Sequence, residues 1–199
     1  IEKGETFRAL HQREGAFIIP NPWDIGTARL LAHLGFEALA TTSAGYAFSV
    51  GQRDNTITRE QMMKHVAEIA TATDLPASAD LENGFGDSPE TVAETIRLAA
   101  ETGLVGCSIE DMASQPHRAI YDLEFAAERV RAAAETAHGL SFRFTLTARA
   151  ENYLVGRPDL NDTIKRLQAY QAAGADVLYA PGLTSKTDIA AVVSSVDRP

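Results

Sequence analysis

Cysteine occurs once in the 199 residues, at Cys107, so no internal disulfide can form, and a reducing cytoplasm is the expected setting. Lysine is nearly as scarce. Lys3, Lys64, Lys165 and Lys186 are the only four, none at the end of a predicted strand, which argues against a Schiff-base aldolase. No apolar run approaches the roughly 18 residues that cross a bilayer. The opening Ile1-Glu2-Lys3-Gly4-Glu5 has neither the basic start nor the apolar run of a signal peptide. Among the five histidines, His11, His33, His65 and His138 fall in helical or exposed patterns, so a zinc cluster is not expected. Nucleotide fingerprints are missing too: Gly84-Phe85-Gly86 lacks a third glycine, and no Lys-Ser/Thr follows it.

Acid is what the chain has in surplus. It carries 27 Asp and Glu against 18 Lys and Arg, a formal charge of −9, which disfavours nucleic acid and anionic membranes as partners. With 45% hydrophobic residues, it can bury one sizeable core, and its length fits one domain.

The organisation alternates. Short apolar runs predict strands at 16–19, 38–42, 77–80, 106–110, 144–148 and 177–180, most without two-residue alternation, as for strands covered on both faces. Between them, helices are predicted over 25–34, 59–71 (a capping box of Thr58 with Gln61), 89 onward (Ser88 capping, Pro89 at the first position), 123–137 (capped by Asp122), 161–173 and 186–196. Gly35, Gly103 and Gly174 each end a helix and lead into a strand, 68 and 71 positions apart, a spacing of about two βα units. Six βα units without a break in composition give one α/β domain, whose sheet is either doubly wound or a barrel.

In parallel α/β folds the site gathers at the carboxyl ends of the strands. Those ends read Asn21-Pro22-Trp23-Asp24, then Thr42-Ser43-Ala44-Gly45-Tyr46 with a loop to Arg53-Asp54, then Asp80-Leu81-Glu82-Asn83-Gly84-Phe85-Gly86-Asp87, Glu110-Asp111, Arg149-Ala150-Glu151 and Pro181-Gly182. Acids thus crowd one rim with one arginine among them. Like charges so placed are costly unless a cation neutralises them, and carboxylates with water suit Mg²⁺. Asp80 and Glu82, two apart, can face one side, and Glu110 comes from the next strand. Cys107 and Trp23 read as packing, and Tyr46 and Phe85 as pocket walls.

Asp80-Leu81-Glu82-Asn83-Gly84-Phe85-Gly86, Ser108-Ile109-Glu110-Asp111, Thr147-Ala148-Arg149 and the Gly45-Tyr46 loop to Arg53-Asp54 stand in the order and spacing of one family's motifs. Together they resemble the isocitrate lyase/phosphoenolpyruvate mutase superfamily over essentially the whole chain. The resemblance implies a (β/α)₈ TIM barrel, of which residues 1–199 would be a single domain covering about six units and lacking its C-terminal part. It implies Mg²⁺ held directly by Asp80 and through water by Glu82 and Glu110. Arg149 would clamp a substrate carboxylate or phosphonate. Ser43, Gly45 and Tyr46 would hold the oxo-acid end, and Asp54 would lie beside the metal shell. Arg149, Glu110 and Asp54 are then the candidate catalytic residues, and a homodimer or homotetramer is the expected assembly.

Departures narrow the activity. Lyases of the family carry Lys-Lys-Cys-Gly-His on the loop after the fourth strand, where this chain reads Met112-Ala113-Ser114-Gln115-Pro116-His117-Arg118. The Lys and Asn of the mutase lid are absent as well. The expected function is therefore Mg²⁺-dependent cleavage of a C–C bond in a small 2-oxo or 2-hydroxy di-acid such as oxaloacetate. The alternatives are P–C bond chemistry of the mutase or phosphonopyruvate hydrolase kind, and a barrel that binds an oxo acid without turning it over.

Overall fold

The computed structural model of the chain describes residues 2–113 and 120–199. Five strands, β1 (Leu39–Ala40), β2 (Ala77–Asp80), β3 (Gly106–Glu110), β4 (Thr145–Arg149) and β5 (Val177–Tyr179), form one parallel sheet in the order β1-β2-β3-β4-β5. Spatial order equals chain order. A doubly wound sheet would reverse at a switch point, whereas strands added always to the same edge curl into part of a barrel.

Helices supply the crossovers: α1 (Glu2–Gln12), α2 (Ile25–His33), α3 (Ser43–Ser49), α4 (Arg59–Ala72), α5 (Pro89–Ala100), α6 (Leu123–His138), α7 (Leu160–Ala172) and α8 (Lys186–Ser194). The Thr58–Gln61 capping box forms, and Ser88 caps α5 with Pro89 in its first turn. Asp122 precedes α6 as expected, but its side chain makes no capping hydrogen bond. Gly35, Gly103 and Gly174 have φ of +87°, +92° and +108°, the left-handed turn that sends each helix back into the sheet.

The strand expected at 16–19 does not form. One rung alone joins that segment to β1, from Ala40 N to Pro20 O at 3.1 Å. Pro20 and Pro22 have no N–H to give, and the Asn21 side chain takes the Ala40 carbonyl (2.9 Å) that a ladder amide would have used. Five units are thus seen where six were expected. Helices α1 and α3 went unread in the sequence: α1 has too mixed a surface, and α3 is a short turn capped by Thr42, whose hydroxyl accepts from Gly45 N.

A second correction concerns alternation. Ala77 and Ala79, Cys107 and Ile109, Leu146 and Ala148 are all buried in the core under the helices. Their neighbours Ser78 and Asp80, Ser108 and Glu110, Thr147 and Arg149 line a cavity on the other face. The two-residue period is present, but small serines and threonines on the inner face hide it. Each inner row climbs from a small hydroxyl to a charge at the carboxyl end. Helix α1 crosses the opposite end, with Phe7 against Gly106 and Gly4 against Arg143.

Candidate active site

Arg149, the last residue of β4, is the hub of the rim. Its Nη1 lies 3.2 Å from Asp80 Oδ1, its Nε 2.9 Å from Glu151 Oε1, and its Nη2 3.5 Å from Glu110 Oε2. Register explains the meeting: Glu110 is paired with Arg149 across β3 and β4, and Asp80 with Ser108 across β2 and β3. Asp80 is held from its other side, where Oδ2 accepts from Ser43 N (3.1 Å) and Ser43 Oγ (2.8 Å). Its own amide donates to Thr41 Oγ1, so the carboxylate has little freedom to turn. These groups wall a cavity of about 720 Å³, together with Thr42, Asp54, Asn55 and Tyr179.

Three acids therefore surround one arginine in a place largely closed to water. Burial pushes the Glu110 carboxyl up to about 9; Arg149 opposes that, while Asp80, Glu151 and Glu82 add to it. Burial likewise pushes Glu82 up to about 7, helped by the charges of Asp80 and Asp54. Glu151 is raised by burial against the pull of Arg149. Burial works against the Arg149 charge, but Asp80, Glu151 and Glu110 outweigh it and hold the guanidinium protonated. At neutral pH, Glu110 is thus a neutral acid beside a permanent cation.

The sequence-derived residues divide. Ser43, Asp54, Asp80, Glu110 and Arg149 all reach the cavity. Glu82 stands behind the wall: it has φ +51°, is buried, and its Oε1 has no hydrogen-bond partner. Gly45 and Tyr46 do not line the cavity either. A Cβ at Gly45 would fall 2.4 Å from Trp23 Nε1, so that glycine seats Trp23, while Tyr46 stacks on His65 with ring centroids 3.8 Å apart. Residues 114–118 of the candidate lid lie outside the described residues.

Asp80, Glu82 and Glu110 do not converge into a ready cage, and among the described residues no three acidic, imidazole or thiol groups do. Asp80 is engaged by Ser43 and Arg149, and the left-handed turn at Glu82 carries its carboxylate aside. The donor set still fits a hard divalent ion: every candidate ligand is a carboxylate oxygen, and one buried oxygen lacks a partner.

Glu151, which the sequence offers equally as a substrate-shell acid or a partner for Arg149, is the nearest acid to that arginine. One feature escaped the sequence reading. Asp111, next to Glu110, turns away from the cavity and accepts from Arg166 Nη1 (2.9 Å), Tyr170 Oη (2.5 Å) and Glu151 N (2.8 Å).

The chain matches the family model described as phosphoenolpyruvate phosphomutase over residues 7–199. A 2-methylisocitrate lyase of Escherichia coli (strain K12) is 30% identical over 189 residues, which cover 91% of this chain and 62% of that protein. A crystal structure from Burkholderia cenocepacia J2315, described no more closely than as a lyase/mutase, has 64% identity and a TM-score of 0.98 over 100% of this chain and 72% of its own. Oxaloacetate acetylhydrolase in complex with the product oxalate gives 29% identity and a TM-score of 0.88, over 98% of this chain and 68% of that one. With the motifs at the strand ends and a match along nearly its full length, the chain belongs to the isocitrate lyase/phosphoenolpyruvate mutase superfamily and is an enzyme of that group.

Proposed function

We propose that this enzyme cleaves the carbon–carbon bond one carbon removed from the oxo group of a small 2-oxo di-acid of the oxaloacetate type, with Mg²⁺ as cofactor. The observation that carries the reading is Arg149 buried among Asp80, Glu110 and Glu151 at the cavity wall. Such a guanidinium presents a planar fork to a substrate carboxylate. Glu110, neutral at pH 7, competes weakly for that fork, which leaves it available to an incoming anion. Relatives named for 2-methylisocitrate and oxaloacetate support a small polycarboxylate substrate, the second of them a 2-oxo di-acid.

Breaking the bond between the methylene carbon and the distal carboxylate leaves its electron pair on that carbon, conjugated with the oxo group as the pyruvate enolate, and the carboxylate departs as CO₂. When bound, Mg²⁺ would supply the positive charge that stabilises this anion, with Asp80, Glu82 and Glu110 as the residues that would hold it. Arg149 orients the carboxylate end, and Ser43, fixed on Asp80, shapes the wall beside it. Glu110 Oε2 faces the Arg149 guanidinium at 3.5 Å, which fixes that carboxyl group at the cavity wall beside the substrate's carboxylate clamp. The sequence of the loop at 112–118, without Cys or Lys, supports a route unlike that of the lyases with a catalytic cysteine.

The test is Mg²⁺-dependent pyruvate release from oxaloacetate above the enzyme-free blank, for wild type and Asp80→Ala, with phosphonopyruvate followed in parallel by phosphorus NMR. We expect the variant to lose about a thousandfold in rate. Equal rates in the two proteins would remove Asp80 from the reading, and turnover of phosphonopyruvate alone would replace it with P–C chemistry.

A further inference from the structure

The loop after β2, residues 81–87, holds an unusual backbone. Glu82 and Phe85 are non-glycine residues at φ +51° and +61°, with Gly84 between them at +86°. Nothing in their side chains favours that region, so the loop must be held from outside. The hold comes from one buried arginine. Arg129, on α6, is 1% exposed, and its Nη2 donates to both Asn83 O and Gly86 O, the latter at 2.9 Å. Its Nε donates to Asp87 O at 2.7 Å. Its guanidinium carbon lies 4.2 Å from the ring centroid of Tyr121, whose hydroxyl donates to Asp87 Oδ1 at 2.5 Å. Thr95 Oγ1 takes the Gly84 carbonyl (2.7 Å), and Glu110 N takes that of Glu82 (2.9 Å).

Resting on the reading of the site given above, we propose that Arg129 is a positioning residue for that site: by gripping three carbonyls of the 81–87 loop it fixes the turn that stands the buried Glu82 carboxylate behind Asp80, from where it would serve a divalent cation. An arginine suits the task because its flat fork reaches carbonyls that lie apart, whereas a lysine ammonium is one point charge. Tyr121 extends the grip. It stacks under Arg129, accepts from Asn83 Nδ2 (3.2 Å), and follows directly on Ile120, which is bridged to Met112. The loop that carries Glu82 and the Met112–Ile120 bridge thus meet at the same guanidinium through Tyr121.

Arg129→Lys and Thr95→Val, each measured beside wild type in one set of samples, test this. Thr95→Val withdraws the Gly84 hydrogen bond, along with those to Thr91 O and from Arg59 Nη1, leaves the Arg129 grip in place, and keeps the proposal testable should Arg129→Lys fail to fold. The probe is Mn²⁺, whose free concentration is read by electron paramagnetic resonance, with folding checked by thermal melts. We expect Mn²⁺ affinity to fall by about ten- to a hundredfold in Arg129→Lys and by a smaller factor in Thr95→Val. Turnover of oxaloacetate should show a loss in kcat of up to about a hundredfold while KM stays within about threefold, because Arg149 is untouched. Wild-type Mn²⁺ affinity in every folded variant would overturn the proposal and leave the reading of the site intact. Absence of Mn²⁺ binding in wild type would overturn that reading and this proposal with it.

Discussion

Glu110 and Asp111 are neighbours in the chain, yet they end in two opposite kinds of charge cluster. Asp111 points under the helices, where Arg166, Tyr170 and the Glu151 amide fill its oxygens, and Arg166 also holds Asp162 and the Tyr121 carbonyl. Every group there is answered. Glu110 points into the cavity, where three acids share Arg149 and a buried Glu82 oxygen nearby has no partner. Both clusters are acids around an arginine, and a census of ion pairs would rank them alike. Their difference lies in the balance: one is closed, while the other holds excess negative charge that a cation or a rearranged substrate complex can relieve.

Removing one acid from each cluster should therefore have opposite consequences. Asp111→Ala leaves buried Arg166 and Tyr170 with only the half-exposed Asp162 as counter-charge and is expected to cost about 3 kcal/mol, a fall in Tm of roughly 10 °C. Asp80→Ala lowers the surplus and should leave Tm unchanged or raised, despite its effect on turnover. Thermal melts of both variants check this, and a large loss of stability in Asp80→Ala would erase the distinction. Next in size, Arg149→Lys replaces a fork by a point and should lower kcat/KM by about a hundredfold with little change in Tm.

The smallest effect is one of pH. Glu82 and Glu110 have pKa values raised by folding, to about 7 and about 9, so between the ordinary carboxylate range and pH 9 the folded chain binds more protons than the unfolded one. Stability is then highest at the acidic end of that window and declines as pH rises through 7 and on to 9. Melts from pH 5.5 to 9 without divalent ions should show Tm falling by several degrees. Glu110→Gln should flatten the upper part of that slope.

Much of the rim was legible in the sequence because Asp80, Glu110 and Arg149 each close an apolar run, and parallel strands gather their carboxyl ends at one rim. The inner rows beneath them were not, because Ser78, Ser108 and Thr147 are too small to mark a two-residue period. The closed cluster and the loop clamp were not legible. Arg129 and Arg166 lie on the buried stripes of amphipathic helices, with Ala126 and Ala133 or Thr163 and Tyr170, where an arginine reads by habit as solvent face. An arginine three residues from a buried small residue, on the apolar stripe, was the available signal. The segment at 16–19 was misread for the converse reason: its apolar run suits a strand, but the prolines after it cannot supply the ladder.

The central claim is that the unbalanced cluster is a site for a divalent cation together with a small oxo acid. Calorimetric titration of the protein with oxalate, with and without Mg²⁺, tests it most directly. The account predicts tight oxalate binding only when Mg²⁺ is present, lost in Asp80→Ala. Oxalate binding of equal strength with and without Mg²⁺, unchanged in that variant, would contradict it.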